Sequence, residues 1–321
     1  MMTPATLRRR GGILALGAIV AAGLAAPWIA PHDPDLMEDV AGARYLGPLT
    51  SAWALQSDPQ RIWIVTSLKR TPAGWSFQRA GRNVEIAAAA MLRTPERRLY
   101  LLGTDALGRD LASRLLFGAR RTLWITSICV ALSLILGVGI GAASGLAGGW
   151  WDTIMMRGVD ILMSIPRLVI LMVCAALLRP SDLTLILVLA ATTWTGLARI
   201  VRAEILALGR GEMVLAARAA GASPLRLLAA HMVPSLAPIL AVTASLRFAD
   251  TVLLESALAF LGIATPASAV SLGAVISSAR DGLGEASWVV AAPGLLITVL
   301  VITVRSTVAS LFRLPDPPSV S

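Results

Sequence analysis

The chain has 321 residues, of which 56% are hydrophobic and 15% are charged, and its mean hydropathy is +0.74. Several apolar stretches are long enough to cross a bilayer, so the composition excludes an ordinary soluble domain and indicates an integral membrane protein. The net charge of +9 comes from arginines beside these stretches. We therefore interpret it as a topology signal and expect membrane lipid, and no nucleic acid, around the chain.

The cysteines and histidines predict neither a disulfide nor a metal site. Cys129 and Cys174 lie in apolar runs, where a thiol usually behaves as a small hydrophobic group. His32 and His231 lie far apart, and neither is clustered with cysteines or carboxylates at ligand spacing. We expect no metal and no cofactor in this chain.

The N-terminus, "LRRRGGILALGAIVAAGLAAPWIA", has three arginines before a long apolar run. This pattern is typical of a signal peptide or of a first transmembrane helix. We favour a helix over residues 11–31 after a cytoplasmic tail over residues 1–10. The apolar part is long for a signal sequence, and the orientation of the later spans requires an N-terminus inside.

Residues 32–118 are polar and mixed in charge, and we expect them to form a small extracytoplasmic insert. In "RIWIVTSLKRTPAGWSF", apolar residues alternate around a Thr-Pro-Ala-Gly turn signal, which predicts a β-hairpin. Near the end of the insert, the acidic groups of "GTDALGRD" match no catalytic or metal template. We expect a structural turn there, with hydrogen bonds from Thr104 and Asp105 near a helix start.

Five further apolar segments predict a membrane core over residues 119–312 and make the chain an all-α protein with six transmembrane helices. These segments are 119–146, 153–178, 183–208, 236–261 and 288–312. No internal repeat is evident. Six spans place the C-terminal tail, residues 313–321, on the same side of the membrane as the N-terminus.

Arginines between the fourth and fifth spans set the predicted orientation. Residues 199–231 carry five of them against Glu204 and Glu212, and short loops rich in arginine remain cytoplasmic. The five are Arg199, Arg202, Arg210, Arg218 and Arg226. We therefore predict that this loop and both termini are cytoplasmic.

The same loop contains the sequence signals of two short helices. Alanine and leucine favour a helix from Glu212 to Ala220, and Gly221 can adopt the left-handed conformation that ends it. Ser223 followed by Pro224 is typical of an N-cap and a first helical position. Two interpretations stay open: an amphipathic connection lying on the membrane surface, or a docking element for a cytoplasmic partner.

Charged residues inside the spans are costly and become candidates for function. Asp160 lies three residues after an arginine, Arg157, so the two can neutralise each other, and Arg247 and Asp250 have the same spacing. Glu255 has no basic residue three or four positions away. We expect it to line a cavity or to meet a neighbouring helix.

Two further features of the spans concern helix shape. Pro166 is predicted to kink the third span. A set of glycines gives the second span a small-residue face for close helix packing. These glycines are Gly137, Gly139, Gly141 and Gly145.

Four blocks carry a family resemblance. "LARIVRAEILALGRGEMVLAARAAGASPLRLLAAHMVPSLAPIL" resembles the EAA loop of binding-protein-dependent ABC importer permeases, in particular the C-type permease subunit of the dipeptide/oligopeptide/nickel branch. "GTDALGRDLASRLLFGARRTL", "MRGVDILMSIP" and "LLESALAFLGIATP" are similar to the blocks that precede the second span, begin the third and end the fifth. The resemblance covers roughly residues 103–300 and implies a type I ABC importer permease fold.

The resemblance also implies roles for individual residues. Residues 210–232 become the coupling region that docks on an ATP-hydrolysing subunit. Ala216, Ala217 and Gly221 hold the second Ala, the third Ala and the Gly of the EAA pattern, whereas Leu215 stands where Glu is usual. The expected ATPase-coupling set is Ala216, Ala217, Arg218, Gly221, Ala222, Ser223, Pro224, His231 and Pro234. The expected pathway or intramembrane set is Asp160, Pro166, Asp250 and Glu255.

The leading hypothesis is a non-catalytic permease subunit of an ATP-driven importer for peptides or a related solute. No phosphate-binding G-x-x-x-x-G-K-[ST] loop occurs, so ATP hydrolysis would belong to partner subunits. The expected partners are a homologous permease, two ATPases and an extracytoplasmic solute-binding protein, at the bacterial inner membrane. The alternative is an ion-gradient-driven secondary transporter that uses Asp160, Asp250 or Glu255 as relays.

Overall fold

The computed structural model describes residues 4–58, 61–79, 81–263, 266 and 269–311, with side chains from Ile13 onward except that of Asp281. It is mainly helical, and the helices occur in the following chain order. They are α1 Pro4–Leu24, α2 Ala26–Ile29, α3 Val40–Ala43, α4 Leu111–Ala147, α5 Gly149–Ser164, α6 Arg167–Leu177, α7 Asp182–Leu208, α8 Glu212–Ala219, α9 Pro224–Leu227, α10 Val233–Phe260, α11 Leu272–Ser278 and α12 Trp288–Leu311.

Within the described residues, four helical stretches are long and apolar enough to cross a membrane: α4, α7, the continuous run Pro224–Phe260 and α12. The bent pair α5 and α6 counts as a fifth if it forms one span. In α1 the apolar portion Ile13–Leu24 is shorter than a span by itself. The membrane-helical fold class is therefore confirmed. The predicted C-terminal tail, residues 313–321, lies outside the described residues.

Two predicted helix starts are wrong by several residues. The helix at the N-terminus begins at Pro4, inside the predicted tail, and ends at Leu24. The second span begins at Leu111, eight residues before position 119, because the Asp110 carboxylate accepts a hydrogen bond from the Ser113 amide and caps the helix. Polar residues of the first turns hid this start from a hydropathy reading.

The turn at "GTDALGRD" is structural, as predicted, although its capping residue differs. Asp105 is buried, and its Oδ1 accepts hydrogen bonds from the amides of Leu107 and Arg109 at 2.9 and 3.0 Å. Thr104 accepts a hydrogen bond from the Leu46 amide and donates one to the Ala43 carbonyl. These two residues tie the insert to the turn, and Asp110 caps the helix.

Helices α4 and α7 pack closely because one face of α4 is nearly free of side chains. A β-carbon at Gly137 would lie 2.7 Å from Leu197, and one at Gly145 would lie 2.8 Å from Ile205. At Gly141 it would collide with the Ala198 carbonyl. The predicted packing face is thus confirmed for three glycines, spaced four residues apart. It is wrong for Gly139, which faces open space in the described chain.

This difference predicts opposite outcomes for two similar variants. Gly141→Ala should destabilise the protein by about 1–3 kcal/mol, because the new methyl group forces α7 away. Gly139→Ala should leave the stability unchanged or raise it by up to about 1 kcal/mol, because alanine favours helix and meets no atom. The measurement is the unfolding midpoint of the purified protein in one detergent. Equal midpoints for the two variants would contradict this packing.

The insert contains two three-stranded antiparallel sheets, and thus more strand structure than the predicted hairpin. In the first sheet, the central strand β1 Thr50–Asp58 pairs with β2 Arg61–Val65 and later with β6 Glu96–Tyr100. In the second, β4 Gly74–Arg79 lies between β3 Lys69–Thr71 and β5 Arg82–Ala87. The hairpin at the Thr-Pro-Ala-Gly turn is confirmed as β3 and β4, whereas "RIWIV" joins the other sheet.

A buried carboxylate, Asp39, connects the two sheets. It accepts hydrogen bonds from the Ile64 amide in β2 at 3.0 Å and from both terminal nitrogens of Arg79 in β4 at 2.6 Å. It also caps α3 through the Gly42 amide. Burial opposes ionisation, but these hydrogen bonds and the Arg79 charge outweigh it and hold the pKa of Asp39 below its ordinary value.

A lowered pKa makes the stability of the insert depend on pH. The folded state favours the ionised Asp39, so its stabilising contribution is present above the ordinary carboxyl pKa of about 3.9 and is lost as the pH falls through the folded value. Asp39→Asn should therefore weaken hydrogen-exchange protection of β2 and β4 at pH 7, and the difference from the wild type should shrink below about pH 4. Glu85→Gln, at an exposed site, is the control. A pH-independent difference would contradict this role of the charge.

Between α10 and α12, the chain returns to the helix bundle as α11. A β-carbon at Gly118 of α4 would lie 3.2 Å from the amide nitrogen of Leu272. At Gly273, a β-carbon would collide with the Ser256 carbonyl of α10. Leu272 and Val275 are fully buried. The connection between the fifth and sixth predicted spans therefore includes a helix packed against two long helices.

Candidate coupling region and intramembrane charges

The candidate coupling region, residues 210–232, is divided by a sharp turn at Gly221. The Gly221 backbone has φ +84°, the left-handed region that glycine adopts without penalty. The Ala222 amide donates to the Ala217 carbonyl and the Gly221 amide to the Arg218 carbonyl, both at 3.0 Å. This hydrogen-bond pattern is a Schellman motif, which satisfies the last carbonyls of α8.

The next helix begins where the sequence predicts it. The Ser223 hydroxyl accepts a hydrogen bond from the Arg226 amide at 3.4 Å, and Pro224 occupies the first turn. Ser223 is thus an N-cap, although its hydrogen bond is long. The chain then turns away from α8 and enters the helix that leads into α10.

One face of this region anchors it to the bundle. Val214, Leu227 and Met232 are about 1% exposed and pack with Ile205 at the end of α7. The opposite face is open and includes most of the expected coupling residues. Exposed side chains and backbone occur at Met213, Leu215, Ala216, Arg218, Gly221, Ser223, Pro224 and Leu225.

The position of Leu215 explains how its departure from the usual glutamate is tolerated. Its side chain is 49% exposed beside Ala216, so no core contact depends on it. Leu225 of α9 is 74% exposed. An exposed apolar group on each side of the Gly221 turn makes this a small apolar surface bordered by arginines.

A π-helical turn, Leu228–Met232, joins α9 to α10 and contains His231. Pro234 follows and has no amide hydrogen to donate to the carbonyl four residues earlier, which accounts for the local change in helix type. His231 is half-buried, and its carbonyl accepts the Ser235 hydroxyl at 2.7 Å. His231 and Pro234 thus shape the connection, whereas the open surface is formed by residues nearer Gly221.

Glu255 is the most deeply buried charge among the predicted pathway residues. It is fully buried in α10 and meets α4, where Thr122 donates a hydrogen bond to Oε2 at 3.0 Å and Arg121 Nη1 lies 3.3 Å from Oε1. Arg121 also pairs with Asp182, at the start of α7, at 2.6 Å. The expectation that Glu255 meets a neighbouring helix is confirmed. Arg121 was not selected from the sequence, although an arginine inside a predicted span was a usable signal.

The prediction that Arg157 forms an ion pair with Asp160 is wrong. Asp160 pairs instead with Arg199 of α7 at 2.5 Å. A second ion pair joins the same helices, from Asp152 of α5 to Arg202 of α7 at 2.5 Å. Helix spacing favoured a partner on the same helix, but the packing of α5 against α7 offers each aspartate a closer arginine.

The second expected pair is present but loose. Arg247 Nη1 lies 3.8 Å from Asp250 Oδ2, and the Asp250 side chain is 53% exposed. Pro166 lies at the break between α5 and α6, whose axes differ by 82°. The third span is therefore broken at Pro166, as a proline after a helix end allows, where a kink was predicted.

Comparison with known proteins places this geometry among membrane transport components. The family model described as "binding-protein-dependent transport system inner membrane component" matches residues 135–314. The di/tripeptide transport system permease protein DppC of Pseudomonas aeruginosa is 32% identical over 92% of this chain and 83% of its own length. A Brucella suis biovar 1 protein, named as a peptide transport system permease, is 39% identical over 68% of this chain and 73% of its own length.

Solved structures support the same fold. The MetNI methionine ABC transporter in an inward-facing conformation contains a chain that superposes with a TM-score of 0.54 and 20% identity. The superposition covers 62% of this chain and 94% of that chain. The shared part is thus nearly the whole of the smaller protein, and the likeness concerns the fold alone.

Proposed function

Because this chain belongs to the family of binding-protein-dependent transport system inner membrane components, we propose that it carries di- or oligopeptides through an ABC importer. It is a permease subunit of such an importer in the inner membrane. The peptide substrate is proposed from the names of its relatives, which describe peptide transport. Substrate choice would be shared with an extracytoplasmic binding protein and a second, homologous permease.

The observation that carries the coupling proposal is the open surface around Gly221. Leu215 and Leu225 are exposed there although their neighbours Val214 and Leu227 are buried. Exposed apolar groups beside arginines suit a protein partner better than water. We assign this surface to an ATPase subunit, with two such subunits in the complex and no ATP chemistry in this chain.

The proposed topology follows from the charge of the same region. With residues 199–231 inside, both termini are cytoplasmic and the two sheets of the insert are outside. ATP-driven closure of the ATPase dimer would then push on α8 and α9. That push would bias the bundle between inward-facing and outward-facing arrangements, as a ligand shifts a two-state equilibrium.

The alternative, an ion-gradient-driven transporter, would use Asp160, Asp250 or Glu255 as proton or ion relays. Each of these carboxylates has an arginine partner in the structure, at 2.5, 3.8 and 3.3 Å respectively. These contacts account for the three carboxylates as members of ion pairs in the helix bundle. The exposed coupling surface also has no use in that mechanism, so the ABC importer is the better-supported proposal.

The decisive experiment reconstitutes this chain with its second permease, ATPases and binding protein in liposomes. We expect uptake of a labelled dipeptide that requires ATP on the ATPase side and survives collapse of proton and sodium gradients. Uptake that persists without ATP and follows an ion gradient would reject the importer mechanism. ATP-driven uptake of another solute, with no peptide uptake, would reject only the peptide substrate.

A further inference from the structure

A cavity of about 400 Å³ opens beside the break in the third span. Its walls come from the end of α5, the start of α6, the middle of α7 and Arg247 of α10. Ligand pockets commonly measure about 300–1,000 Å³, so this one can hold part of a small solute. Its location between a broken helix and intact spans is typical of substrate sites in transporters.

The charged groups lining this cavity are both cations. Arg167 and Arg247 contribute guanidinium groups, and the lining includes no carboxylate among the described residues. Arg247 fits over Gly196, where any β-carbon would collide with its guanidinium. Gly196 therefore leaves the space through which an arginine from α10 reaches the cavity.

These arginines are poorly neutralised by the protein itself. Arg167 makes no ion pair within 4.0 Å in the described part of the chain, and Arg247 has only the long contact of 3.8 Å to the half-exposed Asp250. By contrast, the arginines at 121, 199 and 202 each lie within 2.6 Å of a carboxylate oxygen. An arginine inside a span without a close partner is costly, and an anionic ligand would relieve that cost.

The backbone adds to the same preference. Arg167 is the first residue of α6, an eleven-residue helix whose N-terminus lies at the cavity. The helix dipole places partial positive charge there. The two threonines of the lining, Thr192 and Thr195, donate their hydroxyl protons to carbonyls of their own helix. The guanidinium and amide donors are thus the groups left to bind a ligand.

We propose that this cavity is a carboxylate subsite that holds the C-terminal carboxylate of the peptide during its passage. The inference rests on the proposed peptide transport. Arginine binds a carboxylate with two parallel hydrogen bonds, and two arginines beside a helix N-terminus suit one such group. An amidated peptide lacks the charge and should not be held. Asp250 reduces the net positive charge and keeps the site weak enough to release its cargo.

The test uses the whole complex in lipid nanodiscs, with Cys129 and Cys174 replaced by alanine and Ala191→Cys as a reporter. Ala191 is exposed and lines the cavity. Its rate of modification is measured with a sulfonate-bearing and a trimethylammonium-bearing methanethiosulfonate. We expect the anionic reagent to be favoured, and the ratio of rates to fall about tenfold in the Arg167→Gln, Arg247→Gln double variant, which is equivalent to a loss of about 1.4 kcal/mol.

Matched variants separate charge from shape. Arginine-to-lysine substitutions at the same two positions should keep most of the ratio, and Arg179→Gln, outside the cavity, should leave it unchanged. Alanyl-alanine should slow modification, whereas alanyl-alanine amide should not. The proposal would be overturned by equal protection from the two peptides or by no protection from either. A ratio of modification rates that is the same in the double variant and the wild type would also overturn it.

Two further outcomes have distinct meanings. Protection that depends on anionic lipid and not on the dipeptide would assign the site to a lipid phosphate and overturn the peptide subsite. If the wild-type complex showed no ATP-driven peptide uptake but still favoured the anionic reagent, the proposed peptide function would be rejected instead. The reagent ratio needs no transport, so the two failures are distinguishable.

Discussion

Replacing Gly221 with valine is expected to reduce the recovery of ATPase subunits with this chain about tenfold and to abolish uptake-coupled ATP hydrolysis. Gly221 adopts φ +84°, and a side chain in the left-handed region costs roughly 1–2 kcal/mol. Among the described residues, no heavy atom beyond its chain neighbours lies within 4 Å of the position of a β-carbon there, so crowding is not the cause. Valine should relieve the strain by opening the turn and misaligning α8 with α9. Co-purification and the ATPase rate measure the result.

Two variants serve as controls for this prediction. Gly221→Asn should retain most of the assembly, because asparagine tolerates the left-handed region. Ala220→Val adds the same side chain one residue earlier, where φ is −76°, and should have a smaller effect. Assembly and coupled hydrolysis that survive Gly221→Val would show that this turn is not the ATPase contact.

Replacing Arg121 with leucine is expected to destabilise the protein by about 3–5 kcal/mol, the largest stability effect that the ion pairs predict. The variant removes the cation beside the fully buried Glu255 and leaves it the Thr122 hydrogen bond at 3.0 Å. A buried charge without a partner is far more costly than a buried pair is favourable. The unfolding midpoint in increasing SDS, compared with the wild type, gives the measurement.

Asp182 provides the matched comparison, because it contacts the same arginine from a half-exposed position. Asp182→Asn should cost less than about 1 kcal/mol, as expected for an exposed ion pair. The double variant Arg121→Leu, Glu255→Leu should recover part of the loss, since apolar groups replace both charges. If Arg121→Leu were no worse than Asp182→Asn, the buried pair would not stabilise the bundle.

Local features were predictable from the sequence because their causes are local. Gly221, Ser223 and Pro224 carry their turn and cap preferences in any context, and the structure has a left-handed turn and an N-cap at these positions. The glycines at 137, 141 and 145 lie on one helical face by spacing alone. Hydropathy located four of the six predicted spans as long apolar helices in the described residues, but not the start of α4, whose first turns are polar.

Features that depend on which helices are neighbours were not predictable in the same way. The partner of Asp160 is on α7, and only the packing of α5 against α7 brings Arg199 within reach. The first sheet of the insert pairs β1 with β6, strands far apart in sequence, so the local alternation predicted only a hairpin. The cavity at Arg167 and Arg247 combines residues eighty positions apart, opposite a glycine that gives no signal by itself.

The helix that follows the Gly221 turn joins the candidate coupling region directly to a long span. Pro224–Phe260 is a single helical run, interrupted only by the wide π turn. At a rise of about 1.5 Å per residue, roughly 46 Å separate Pro224 from Glu255, and a tilt of about 5° would move the far end by about 4 Å. A small tilt at the Gly221 end of this run is thus larger, at the far end, than the 3.3 Å that separates Arg121 from Glu255.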